Sequence, residues 1–135
     1  MMKWGFSREK KLVFNARSET AGQLSFFSDS FLRRRCIIPA AGYFEWDHRE
    51  KKPPKYRFSP INGDVLYLAG LYRFEEGRPV FTVLTRPAAP MLRCFHDRMP
   101  VLLHEEELQA WLDPHNDPLP ILRHPMTELI WTKAS

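Results

Sequence analysis

The sequence predicts an α+β fold: a curved, barrel-like, mostly antiparallel sheet with a few short flanking helices. Three observations predict it. Short apolar runs recur along the chain, each closed by Gly, Pro, Asn or Asp, which is the punctuation of strands and turns. Only two stretches carry helical spacing, and both are short. Hydrophobic residues make up 44% and aromatics 13% of the 135 residues, enough apolar material for one core within a single domain spanning 1–135.

Taken in order, Lys11–Asn15 (KLVFN) reads as the first strand. Glu19–Arg33 places Leu24, Phe27, Phe31 and Leu32 near a helical spacing, with Gly22 weakening the helix at its start. Cys36–Ile38 is a short apolar strand stopped by Pro39, and Tyr43–Trp46 is another, entered through Ala41-Gly42. His48–Lys55, charged and broken by Pro53 and Pro54, is predicted as a mobile loop. Tyr56–Ser59 and Val65–Phe74 are strands on either side of the turn Asn62-Gly63-Asp64. Val65–Thr85, turning at Glu75-Glu76-Gly77-Arg78, is the clearest hairpin. Arg86–Cys94 is a short helix or irregular segment, and Met99–Leu103 is a strand. Glu105–Leu112 is a short helix: its glutamates suit the positive N-terminal end, and Leu108, Trp111 and Leu112 form its apolar face. Four prolines between 114 and 125 predict an extended connection, and Glu128–Thr132 a last strand.

Composition narrows the function. No apolar run approaches the roughly 20 residues that cross a bilayer, and the opening Met1-Met2-Lys3-Trp4-Gly5-Phe6 has no apolar signal-peptide core. A cytoplasmic location with no membrane partner is the expectation. Cys36 and Cys94 are read as free thiols, Cys36 as a core residue, because two cysteines make no disulfide framework. Cys94 with His96 is the one close Cys/His pair and has no complement, so neither a metal nor a cofactor is expected. Residues 1–57 hold 13 Lys/Arg against 6 Asp/Glu, and residues 58–135 hold 7 against 10. A basic half points to an anionic partner, nucleic acid being the most economical, although an unevenly charged solvated surface explains the same numbers.

Three clusters carry possible chemistry. In Asn15-Ala16-Arg17-Ser18-Glu19-Thr20, Asn15 and Arg17 sit two apart and share one side of a strand end; Arg17 suits a phosphate and Asn15 a sugar or base, while helix capping by Ser18 and Thr20 is the plainer local account of the segment. In Gly42-Tyr43-Phe44-Glu45-Trp46, a carboxylate between aromatics suits proton transfer and Trp46 suits base stacking. The plain structural alternative is a strand with Phe44 and Trp46 in the core and Tyr43 and Glu45 outward. In Cys94-Phe95-His96-Asp97-Arg98-Met99-Pro100, His96 suits general acid work and Arg98 a phosphate, or the stretch is a polar turn.

Asn15-Ala-Arg-Ser-Glu-Thr, Arg34-Arg-Cys-Ile-Ile-Pro-Ala, Gly42-Tyr-Phe-Glu-Trp, Ala69-Gly-Leu-Tyr, Phe81-Thr-Val-Leu-Thr and His96-Asp-Arg-Met-Pro-Val together resemble the SRAP family, also labelled SOS response-associated peptidase. The resemblance runs from Trp4-Gly5 to about Leu112; each piece is weak, and six in order are specific. It implies a sensor of abasic sites in single-stranded DNA that works in the DNA damage response, near the nucleoid. An N-terminal cysteine, exposed when the family's opening Met-Cys-Gly-Arg loses its Met, captures the ring-opened sugar aldehyde with its amine and thiol as a thiazolidine. The resemblance further implies that Asn15 positions the cysteine and sugar, Glu45 handles protons at the amine and His96 is the acid that opens the sugar. Arg17 and Arg98 would hold phosphates, and Trp46 would lie on the DNA path.

The chain departs from that family at its start, where no Met-Cys-Gly-Arg stands. The expectation is an N-terminally incomplete SRAP-like domain without its nucleophile. An internal Met taken for the start is favoured over a degenerate DNA-binding paralogue or a strand supplied by another chain. A missing strand predicts an exposed sheet edge, with homodimerisation through it or poor stability. Two rival functions are a thiol peptidase acting through the same residues and a non-enzymatic single-stranded nucleic-acid-binding domain.

Overall fold

The computed structural model describes residues 1–134. Its strands in chain order are β1 (Lys3–Trp4), β2 (Phe6–Arg8), β3 (Lys11–Val13), β4 (Asn15–Arg17), β5 (Arg35–Ala40), β6 (Tyr43–Trp46), β7 (Lys55–Pro60), β8 (Leu66–Glu75), β9 (Arg78–Pro87), β10 (Arg98–Pro100) and β11 (Leu129–Lys133). The helices are α1 (Ser25–Arg33), α2 (Leu108–Leu112) and α3 (Leu119–Arg123), with single 3-10 turns at Pro90–Leu92 and Glu105–Glu107.

A six-stranded mixed sheet is built on the β8–β9 hairpin. Its turn places Glu76 and Gly77 at φ 51° and 76°, the paired left-handed residues that match the twist of a tight hairpin. β5 pairs with β8, while β1 and then β4 run parallel along the far side of β9. Between β1 and β4 the chain leaves the sheet as the β2–β3 hairpin. Where β8 and β9 diverge, the strand entered at Arg98 wedges between them. Val101 N–H donates to Leu84 O, and Ala69 N–H and Leu103 N–H bond back to Val101 O and Tyr67 O. This insertion curls the sheet into a half-barrel. A separate antiparallel sheet, β11–β7–β6, faces it. Among the described residues no helix is long and apolar enough to cross a membrane.

Several expectations change. The predicted strand Lys11–Asn15 splits at Phe14, giving β3 to the hairpin and β4 to the large sheet. The predicted helix Glu19–Arg33 forms only over Ser25–Arg33, because Ser18–Leu24 is a run of turns packed on the sheet edge, with Ala21 fully buried. Pro39 does not stop β5. Tyr67 opposite turns its carbonyl to Leu103, so Pro39 occupies a non-hydrogen-bonded position of an edge strand, where its missing N–H costs nothing. β7 and β8 do not pair; Asn62-Gly63-Asp64 carries the chain from one sheet to the other. The 114–125 connection holds α3, started by the Asp117 carboxylate on Leu119 N–H and by prolines at its first turn. Leu112 points outward from α2, 46% exposed, while Trp111 is fully buried.

Alternation along β8 and β9 gives the large sheet two apolar faces. One packs Ala69, Leu71, Val80 and Leu84 against Phe27 and Phe31 of α1, Trp111 of α2 and Ile121 of α3. Arg35, 4% exposed, clasps this side: its guanidinium donates to the carbonyls of Phe31, Leu32, Trp111, Asp113 and Asn116, tying the C-terminal ends of α1 and α2 together. The other face packs Leu66, Leu68 and Val83 against Phe58, Phe95 and Leu129 beneath the three-stranded sheet. That covering sheet is narrower than the sheet it covers.

Candidate functional site

Where the cover ends, an open groove of about 690 Å³ remains. Its floor is Ile38, Leu68, Phe81 and Val83 of β5, β8 and β9. Trp4 and Phe14 form one wall, with Trp4 Nε1–H donating to Phe14 O at 2.9 Å and its ring parallel to that of Phe81. β6 forms the other wall, and the turn before β10 closes one end. Asn15, Glu45, His96 and Arg98, singled out from the sequence, all line this groove and come from three separated segments: β4, β6 and the stretch that enters β10.

Asn15 and Arg17 share the outward side of β4, because Ala16 between them is buried. Arg17 is exposed and makes no ion pair among the described residues. The alternation of β6 is opposite in phase to its plain structural reading: Tyr43 and Glu45 turn inward, and Phe44 and Trp46 are 45% and 43% exposed. Register explains the inversion, since Tyr43 stacks on the buried Phe58 of β7 directly opposite it. Burial in this apolar wall raises the Glu45 pKa, and the positive charges of His96 and His48 draw it partly back. Burial, reinforced by Glu45, also pushes the Tyr43 phenol up. On the outward side the Lys55 ammonium lies 4.2 Å from the Phe44 ring centroid and 5.5 Å from that of Trp46, forming an exposed cation–aromatic face.

His96 is held by the backbone of Arg98. Arg98 N–H donates to Nδ1 at 3.0 Å when that nitrogen is bare, and Arg98 O lies 3.2 Å away to accept from it when protonated. The ring is therefore seated through Nδ1, and Nε2 has no hydrogen-bond partner among the described residues. Arg98 itself is occupied: its guanidinium grips the Glu19 carboxylate at 2.6 and 2.8 Å and Thr85 Oγ1 at 3.0 Å. Arg98 holds the Glu19 carboxyl down to about 2. The partnership of Glu19 with Arg98, the placing of Trp4 and Phe14 around the groove and the approach of His48 to His96 lay outside the sequence reading, because each depends on elements distant in the chain. For His48 the only signal was its place two residues after the Gly42–Trp46 motif. Neither thiol lines the groove. Burial pushes Cys36 up to about 12, and Cys94 is exposed.

The half-barrel defines a fold class with solved members. A protein from Bordetella bronchiseptica is 30% identical, with TM-score 0.83, over 99% of this chain and 74% of that one. A Bacteroides thetaiotaomicron protein at 23% identity and TM-score 0.80, matched over 90% of this chain and 58% of its own, shares the fold. The family model for SOS response associated peptidase (SRAP) matches residues 1–134, and the chain belongs to that family. Relatives include the abasic site processing proteins YoqW of Bacillus subtilis (33% identical over 130 residues; 85% of this chain, 57% of that one) and YedK of Escherichia coli (30% over 116 residues; 81% and 52%). HMCES of Xenopus tropicalis, also an abasic site processing protein, is 27% identical over 150 residues, covering 90% and 44%. The chain spans about half the length of the curated relatives it matches.

Proposed function

We propose that the groove receives an abasic site in single-stranded DNA as part of a DNA damage response, and that the chemistry served there is thiazolidine crosslinking. The observation that carries this reading is the convergence of Asn15, Glu45 and His96 on one apolar groove beside an exposed aromatic face. His96 gives a proton to the ring oxygen of the deoxyribose as the C1′–O4′ bond breaks, and the C1′ hydroxyl releases its proton to water, freeing the aldehyde at C1′. An amine adds to that carbon and water leaves, giving an imine. The raised pKa of Glu45 suits it to protonate the departing hydroxyl. A thiol on the same residue then adds to the imine carbon and closes the five-membered ring. Asn15 orients the sugar, Arg17 takes a flanking phosphate and Trp46 stacks on a base. Arg98 keeps the His96 end in shape, and reaches a phosphate when Glu19 yields it.

Cys36 and Cys94 cannot supply this nucleophile, because the α-amine of each is tied in a peptide bond. The 135 residues by themselves therefore support non-covalent binding of single-stranded nucleic acid, which the basic half and the Phe44–Trp46 face favour. A homodimer through the unpaired outer edges of β1 and β4 belongs to the same reading; light scattering tests it. The main test is a denaturing gel with abasic and intact single-stranded oligonucleotides. We expect a covalent band only with abasic DNA and only for a chain extended to begin with a processed cysteine. A band from the 135 residues alone would move the chemistry to Cys94, and no band from either chain would sink the reading.

A further inference from the structure

One carboxylate beside the groove stands where an anion from outside could stand. Glu19 accepts from Arg98 Nη1 and Nη2 at 2.6 and 2.8 Å, and from Ser18 Oγ at 3.3 Å. Arg98 and Thr85 line the groove. Thr85 Oγ1 accepts from Arg98 Nη2 at 3.0 Å, so the guanidinium keeps an anchor without Glu19. The partnership is also incomplete, since Arg98 Nε is buried and has no partner among the described residues. The Glu19 side chain is 40% exposed and that of Arg98 17%, so the carboxylate is the member free to leave. Asp97, beside Arg98 in the chain, is turned to solvent and approaches His96 instead, at 3.6 Å.

We propose that Arg98 and the Ser18 hydroxyl form an oxyanion site with Glu19 as its resident occupant, and that a backbone phosphate of a strand seated in the groove takes the site by displacing it. Glu19 is then a specificity-determining residue. The chemical argument is one of shape and charge. A guanidinium fork that accommodates two carboxylate oxygens accommodates two phosphate oxygens in the same way. A phosphodiester carries one negative charge, as Glu19 does, so the exchange is nearly balanced. Arg17, exposed and without an ion pair among the described residues, is open to any phosphate. Arg98 is neutralised until Glu19 swings out, so it adds affinity only for a strand already held in the groove. The inference rests on the groove reading for its DNA half, although the oxyanion site can be measured without DNA.

The test compares the full chain with Glu19→Gln, Glu19→Ala and the double variant Glu19→Ala/Arg98→Gln. Inorganic phosphate is titrated against chloride at equal ionic strength and followed by the NMR signals of the Arg98 side chain and Ser18. Both single variants should bind phosphate roughly tenfold more tightly than the unsubstituted chain, the scale of one charge-assisted bond. The double variant should lose that gain. Equal phosphate binding in all chains, or a gain that survives Arg98→Gln, overturns the proposal. Salt dependence of binding to an intact single-stranded oligonucleotide is read next. Vacating the site should steepen the slope of log K against log salt by about 0.7, one more phosphate contact on a single strand. An unchanged slope, or weaker binding, in both single variants overturns the proposal and assigns Glu19 a structural role. No oligonucleotide binding by any chain, with phosphate binding as expected, upholds the oxyanion site and overturns the groove reading instead.

Discussion

The two faces of the six-stranded sheet are made of similar residues and end differently. Beneath the helices, Leu71, Val80 and Leu84 are closed over by Phe27, Phe31 and Trp111, and even the charged Arg35 is absorbed by carbonyls. On the opposite face, Phe58, Phe95 and Leu129 cover the Leu66 end and leave Ile38, Leu68, Phe81 and Val83 as the floor of a groove. The difference teaches why a carboxyl can be made useful on one side only. A filled face excludes water and substrate alike, whereas a half-covered face desolvates Glu45 while keeping it reachable.

The largest expected break in the comparison is on the closed face. Arg35→Ala strips five carbonyls of their donor and should cost about 3–5 kcal/mol in chemical denaturation, the scale for removing one member of a buried polar cluster. DNA binding measured well below the new transition should stay intact, since Arg35 does not line the groove. Gly70→Ala probes the sheet between the faces. A methyl there would come within 2.4 Å of Ile38 Cδ1 and 3.0 Å of Thr82 O, so the Ile38 side chain, part of the groove floor, must shift. We expect a loss of about 1–3 kcal/mol, together with weaker nucleic-acid binding.

Trp46→Ala acts on the open side alone. Its half-exposed ring should leave stability within about 0.5 kcal/mol, while single-stranded DNA binding weakens by about 1–3 kcal/mol, the value of one stacked base. Fluorescence anisotropy at fixed salt measures it.

The smallest effects are slopes with pH, and they have opposite signs. Glu45 is raised, so the folded chain holds its proton more tightly than the unfolded chain. Stability therefore falls as pH rises from the ordinary carboxylate value through the raised one, and Glu45→Gln should flatten that decline. Glu19 is lowered to about 2, so its contribution is present above the ordinary value and is lost as pH falls toward 2. Glu19→Gln should flatten that acid arm. Thermal melts across pH read both slopes, and a reversed sign in either would contradict the environment described.

Legibility in the sequence followed locality. β6 begins and ends where its aromatic run and turn residues placed it, and the β8–β9 hairpin follows from two apolar runs about Glu76-Gly77. Asn15, Glu45 and His96 stood out by residue type and motif, and the order of those motifs pointed to the family. α3 was hidden because its prolines, which read as extended chain, sit at a helix start where they are tolerated. Pro39 read as a stop because its register in an edge strand is invisible in one dimension.

The sequence by itself therefore determined the inventory of strands and turns, the residues able to do chemistry and the family pattern they share. Only the tertiary structure decided which side of β6 faces inward, because a two-residue alternation defines two faces without saying which is covered. It also decided that Glu19 engages Arg98, and that the three distant segments carrying Asn15, Glu45 and His96 meet around one groove. Those outcomes depend on register and on long-range packing, where each choice is made by residues dozens of positions away.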